Sequence, residues 1–103
     1  MISLLFAALT GIELPALFND HMVLQRDQAI PVWGKAAPGE VVTVRLEGSP
    51  ARQDRADING HWRVDLPSEP ASMTPRVLRI EGRSVFTFKD VLVGEVWICS
   101  GQS

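Results

Sequence analysis

Val42-Thr43-Val44-Arg45-Leu46-Glu47 and Trp62-Arg63-Val64-Asp65-Leu66 alternate apolar and polar residues one for one. A period of two places successive side chains on opposite faces of an extended backbone, so each stretch reads as a strand with one face in a core and one in water. Leu78 and Ile80 repeat the pattern against Arg79 and Glu81, and Phe86 and Phe88 repeat it against Thr87 and Lys89. Ile30 to Gly34 adds another strand. Turn-forming residues separate these runs at Pro38-Gly39, Gly48-Ser49-Pro50, Asn59-Gly60 and Glu81-Gly82. Asn59-Gly60 is the strongest turn signal and predicts a type I′ turn, whose two central positions both need positive φ. Pro67 to Pro75 reads as a loop, and no stretch carries a persuasive helical period. Residues 13–89 are therefore expected to form a small antiparallel β-sandwich or barrel, with Val42, Val44, Leu46, Trp62, Val64, Leu66, Leu78 and Ile80 facing inward.

Two composition shifts flank this segment. Residues 1–12 carry no charge before Glu13 and are far too short to span a bilayer. They read either as the remainder of a signal peptide without its basic n-region, or as a mis-started or core-forming segment. The first alternative implies a secreted or periplasmic protein. At the other end, Val91 to Cys99 is apolar at almost every position, interrupted by Gly94 and Glu95. A strand buried on both faces reads this way, and such strands belong mostly to parallel sheets covered by helices. Residues 90–103 are accordingly expected to be the first strand and turn of a separate α/β domain, ending in Ser100-Gly101-Gln102-Ser103. A small-residue turn at the carboxyl end of a buried strand is where open α/β sheets place catalytic groups.

Composition narrows the chemistry. The 103 residues are 46% hydrophobic and 21% charged, as in a folded soluble domain, with a formal net charge of −2. That balance leaves no electrostatic footprint for nucleic acid or an acidic membrane surface. One cysteine excludes an internal disulfide, and two histidines allow no zinc-binding spacing; no metal or cofactor is expected. Trp33, Trp62 and Trp97 are assigned to core packing rather than to sugar stacking, and Cys99 is read as an inert buried thiol. His21 and His61 read as loop or turn residues rather than catalytic bases. Glu95 is expected at a polar edge or beside an arginine, because an unpaired buried carboxylate is costly.

Several separated blocks share one further property. Leu14-Pro15-Ala16-Leu17-Phe18-Asn19-Asp20-His21-Met22-Val23-Leu24-Gln25-Arg26, Pro31-Val32-Trp33-Gly34, Pro38-Gly39-Glu40, Asn59-Gly60-His61-Trp62 and Asp90 to Ser103 resemble, in the same order, the N-terminal part of sialate O-acetylesterases. The resemblance implies a β-domain ahead of an SGNH-type hydrolase domain. It also implies removal of O-acetyl groups from sialic acids or other acetylated sugars or glycans. Ser103 matches the nucleophile of the family's Gly-Gln-Ser-Asn-Met block. The Asn and Met of that block do not follow here, nor do later blocks that would bring the catalytic histidine, its acidic partner and the oxyanion-hole residues. The chain is thus expected to be a truncated member, inactive alone, since a serine needs a base and oriented donors to cleave an ester. The other expectation from the residues is a stand-alone β-sandwich acting as a binding or structural module.

Overall fold

The computed structural model describes residues 12–15 and 17–96. Seven strands make up its regular structure: β1 (Val23–Gln25), β2 (Ile30–Lys35), β3 (Val41–Leu46), β4 (Arg52–Arg55), β5 (His61–Leu66), β6 (Ser72–Glu81) and β7 (Val85–Gly94). No helix occurs among the described residues, and the fold is mainly β as expected. A five-stranded sheet has the order β1-β7-β6-β3-β4, and β2 pairs with β5 in a separate two-stranded sheet. Both sheets contribute side chains to one buried cluster. All eight residues expected to face inward are at most 3% exposed.

Polarity explains which residues escaped the sequence reading. β4 reads Arg-Gln-Asp-Arg, with no apolar alternation, because it is an edge strand whose side chains stay in water. It pairs antiparallel with β3, and the Asp54 carboxylate accepts the Arg63 backbone N–H at 2.8 Å, linking this edge to β5 of the other sheet. The segment expected as a loop from Pro67 to Pro75 becomes strand at Ser72. Pro75, which has no N–H for a ladder, falls where the β6–β7 register slips between Ser72 and Arg76.

The Asn59-Gly60 turn is not type I′. Gly60 has φ of 85°, whereas Asn59 is not among the residues with positive φ. The turn instead spans Asp57 to Gly60, closed by the Gly60 N–H on the Asp57 carbonyl at 2.9 Å, so only its last residue needs the left-handed conformation. The Asp57 carboxylate accepts the N–H groups of Asn59 and His61, both at 2.9 Å. These bonds, that from His61 foremost, hold its pKa below the ordinary aspartate value. Gly34 has a different reason to be glycine. A Cβ there would collide with the Glu13 carbonyl oxygen, because Glu13 runs alongside β2 and bridges to Lys35.

The end of the sheet departs most from expectation. One pair is parallel: Val23, Leu24 and Gln25 of β1 lie beside Leu92, Val93 and Gly94 of β7. The strand expected to open at Val91 starts at Val85 and runs through Asp90 to Gly94 within the five-stranded sheet. Its inward parity changes on the way, from partly buried Phe86 and Phe88 to buried Val91 and Val93. The change is a β-bulge. Phe88 is opposite Leu78 but Val91 is opposite Arg76, so β7 carries one extra residue, and Asp90 absorbs it with φ of 55°. Aspartate tolerates that region better than most residues. Backbone groups at the bulge are taken up by the segment before β1: Lys89 N–H donates to the Asp20 carboxylate at 2.7 Å, and His21 N–H donates to the Lys89 carbonyl at 2.9 Å. Through Gly94, then, the apolar run is alternation with a shifted phase. Of the leader, Ile12 is described, and it packs in the core.

Candidate functional site

Ser103, the residue singled out as nucleophile, lies outside the described residues, as do Trp97 and Cys99. The described structure does show how the strand leading toward them is held. Gln25, the last residue of β1, accepts the Val96 N–H on its side-chain oxygen at 3.1 Å and donates its amide N–H to Glu95 at 3.4 Å. The Arg26 N–H donates to the Gly94 carbonyl at 2.9 Å. Glu95 is exposed, and its hydrogen-bond partner is an amide rather than a guanidinium. Arg26 pairs with Asp27 at 2.6 Å, which with a smaller contribution from the nearby Glu95 carboxylate raises its pKa above the usual arginine value, so Glu95 stands at a polar edge near an arginine as expected.

Neither histidine is set up as a base. His21, with φ of 68°, places Nδ1 3.3 Å from the Asp90 carboxylate across the bulge, with both side chains largely in water. His61 opens β5 on its exposed face. Among the described residues neither imidazole hydrogen-bonds a serine or threonine hydroxyl, so no nucleophile and base are brought together there. No three His, Cys, Asp or Glu side chains among them are grouped as metal ligands.

The tryptophans divide. Trp62 is buried as expected, although its indole N–H has no partner among the described residues. Trp33 is 37% exposed and is not a core residue. It sits on β2 with the parity opposite to Ile30 and Val32, so the pleat turns it outward. Phe18 packs edge-on against it, with ring centroids 5.1 Å apart at 71°. Trp33 stands between two clefts. One, of about 350 Å³, is lined by Glu13, Leu14, Pro15, Trp33, Gly34, Lys35 and His61 and mixes an aromatic wall with a carboxylate, an ammonium and an imidazole. The other, of about 340 Å³, runs along β1 and the start of β2 to Val96 and contains no charged residue. The sequence reading missed both, because the segment that walls them, Leu14 to Gln25, has no period of two.

No family model matches the chain. Among curated proteins, the sialate O-acetylesterases of Homo sapiens and Mus musculus are 35% and 33% identical to it over 106 residues each, covering 90% of this chain. The sialate O-acetylesterase of Pongo abelii is 35% identical over 111 residues. The chain spans about a fifth of the length of these relatives. Among solved structures, a carbohydrate acetylesterase from Xanthomonas citri superposes with a TM-score of 0.78 at 42% identity, over 84% of this chain and 20% of that one. The resemblance read from the sequence blocks is borne out along nearly the whole chain.

Proposed function

We propose that this chain, homologous over most of its length to sialate O-acetylesterases, forms the β-domain that opens a serine carbohydrate O-acetylesterase, with Ser103 as the nucleophile. The observation that carries the reading is similarity to those esterases over 90% of the chain, at 31% to 35% identity. Likeness to a carbohydrate acetylesterase fold at 42% identity supports it. In this reading the two sheets stack as a sandwich, β7 leads toward an SGNH-type hydrolase domain, and the protein acts outside the cytoplasm on acetylated sugars. The Ser103 hydroxyl attacks the acetyl carbonyl while a base takes its proton. The sugar hydroxyl leaves with a proton returned by that base, and water then releases acetate from the acetyl-serine. The base and the donors that stabilise the oxyanion are contributed by sequence after Ser103.

Aryl acetate hydrolysis tests the proposal. The 103-residue chain is expected to turn over no faster than buffer. A chimera joining it at Ser103 to the part of the Xanthomonas citri acetylesterase beyond the matched region is expected to hydrolyse the ester, and Ser103→Ala to lower that rate by about 10³-fold or more. Turnover by the chain alone that disappears in Ser103→Ala places a base within it and overturns this division of labour. Full activity of the Ser103→Ala chimera removes Ser103 from the reaction.

A further inference from the structure

The cleft between β1, the start of β2 and Val96 differs from the rest of the surface. Leu17, Val23, Trp33 and Val96 are 55%, 43%, 37% and 38% exposed, and these four of the eight exposed large hydrophobics among the described residues all line it. Its floor includes buried Phe18 and Ile30, and its only polar side chains are the uncharged Gln25 and Gln28. Monomeric soluble proteins seldom leave apolar residues contiguous in this way, and absence of charge is the mark of the centre of an interface. Scattered exposed hydrophobics, such as Ile58 and Met73 outside the cleft, carry no such meaning.

We infer that this cleft is the docking surface for the hydrolase domain of the same polypeptide, an inference that rests on the function proposed above. The direction of the chain selects that occupant. Val96, the last described residue, forms part of the wall and is tethered there by the Gln25 side chain. The sequence continues with Trp97-Ile98-Cys99, three more apolar residues. The relatives are about five times longer than the matched segment, which leaves ample polypeptide to cover the site. Parallel pairing of β1 with β7 gives the arrangement its purpose. It brings the segment from Leu17 to Gln25 to the point where the chain departs, and so fixes the domain that follows against the wall formed by Trp33.

Hydrogen exchange on the 103-residue chain and on the acetylesterase chimera tests the inference. Backbone amides of Val23 to Gln25 and of Ile30, Val32 and Trp33 are expected to exchange at least about tenfold more slowly in the chimera, while those of β4 stay unchanged. Val23→Asp should reverse that protection and leave the melting temperature of the 103-residue chain unaltered, and Met73→Asp should change neither protein. Should the chimera not fold, the remaining part of the Xanthomonas citri protein added in trans must slow the same amides. Equal exchange with and without it overturns the docking. So does slow, concentration-dependent exchange in the 103-residue chain sedimenting as a dimer, which assigns the cleft to a second copy. An active chimera with an unprotected cleft removes the docking and leaves the esterase reading standing; a protected but inert chimera does the reverse.

Discussion

The region built by β3, β5 and β6 and the corner where β1, β2 and the end of β7 meet both draw on apolar sequence, yet they treat it differently. In the first, Val42, Val44, Leu46, Leu78 and Ile80 are completely buried, and Arg45 and Arg79 between them point outward. In the second, Phe18, Leu24 and Ile30 are buried while Leu17, Val23 and Trp33 remain in solvent. Strict alternation within paired strands closes a core by itself. An irregular segment bound beside a bulge does not, and its surplus apolar surface is available to something else.

The comparison breaks first at its strongest point. Leu78→Ala removes a side chain with no exposure and should cost about 2–5 kcal/mol in urea denaturation, whereas Val23→Ala should stay within about 0.5 kcal/mol. Similar losses from both would mean that the corner is as closed as the core. Next comes the enclosed ion pair of Glu69 and Arg76, 2.9 Å apart with side chains only 17% exposed. Glu69 also accepts a hydrogen bond from Ser49 at 3.2 Å. Glu69→Ala leaves the guanidinium with only its 3.4 Å hydrogen bond to the Glu47 carbonyl and should cost about 2 kcal/mol by the same measurement.

A smaller effect sharpens the account of the corner. Asp90 holds φ of 55°, so Asp90→Val should destabilise by about 1–2 kcal/mol, because a β-branched residue resists that region, while Asp90→Gly should be neutral or stabilising. If valine is tolerated, the bulge is not what sets the phase of β7. The slightest expected effect belongs to Asp57. Its lowered pKa means that the folded state binds a proton less readily than the unfolded chain. The stabilisation is therefore complete above the ordinary value of 3.8 and is lost as pH falls through the lowered folded value. Asp57→Asn should remove that part of the acid dependence of the melting temperature, and an unchanged acid limb would show that the turn's hydrogen bonds do not distinguish the protonation states.

Legibility followed local pattern. β3 and β5 were readable because every second residue in each is apolar. β4 was not, since Arg-Gln-Asp-Arg belongs in a strand only by virtue of its pairing with β3. The Asn59-Gly60 signal marked a turn correctly and mistook its type, because the five residues between β4 and β5 connect two sheets rather than the arms of a hairpin. Trp33, grouped with Trp62 and Trp97 as core, faces outward, as its own parity within Ile30–Lys35 already indicates. Of the other exposed side chains that single out the cleft, Leu17 and Val23 come from a segment with no periodicity to read.

By itself, then, the amino-acid sequence determined a mainly β chain, the inward face of its regular strands and its likeness to sialate O-acetylesterases, all of which depend on residues close in sequence or on their order. Only the tertiary structure decided that Val91 and Val93 complete the sheet begun at Val85, that β1 pairs parallel to them, and that Leu17, Val23, Trp33 and Val96 share one open cleft. These depend on contacts between residues distant in sequence, Val91 and Val93 with Arg76 and Ser72 of β6, and Asp20-His21 with Lys89-Asp90, and on one aspartate in a left-handed conformation. A one-residue change of phase reverses which side of a strand faces the core, and whether it occurs is set by the partners that take up the backbone groups it frees.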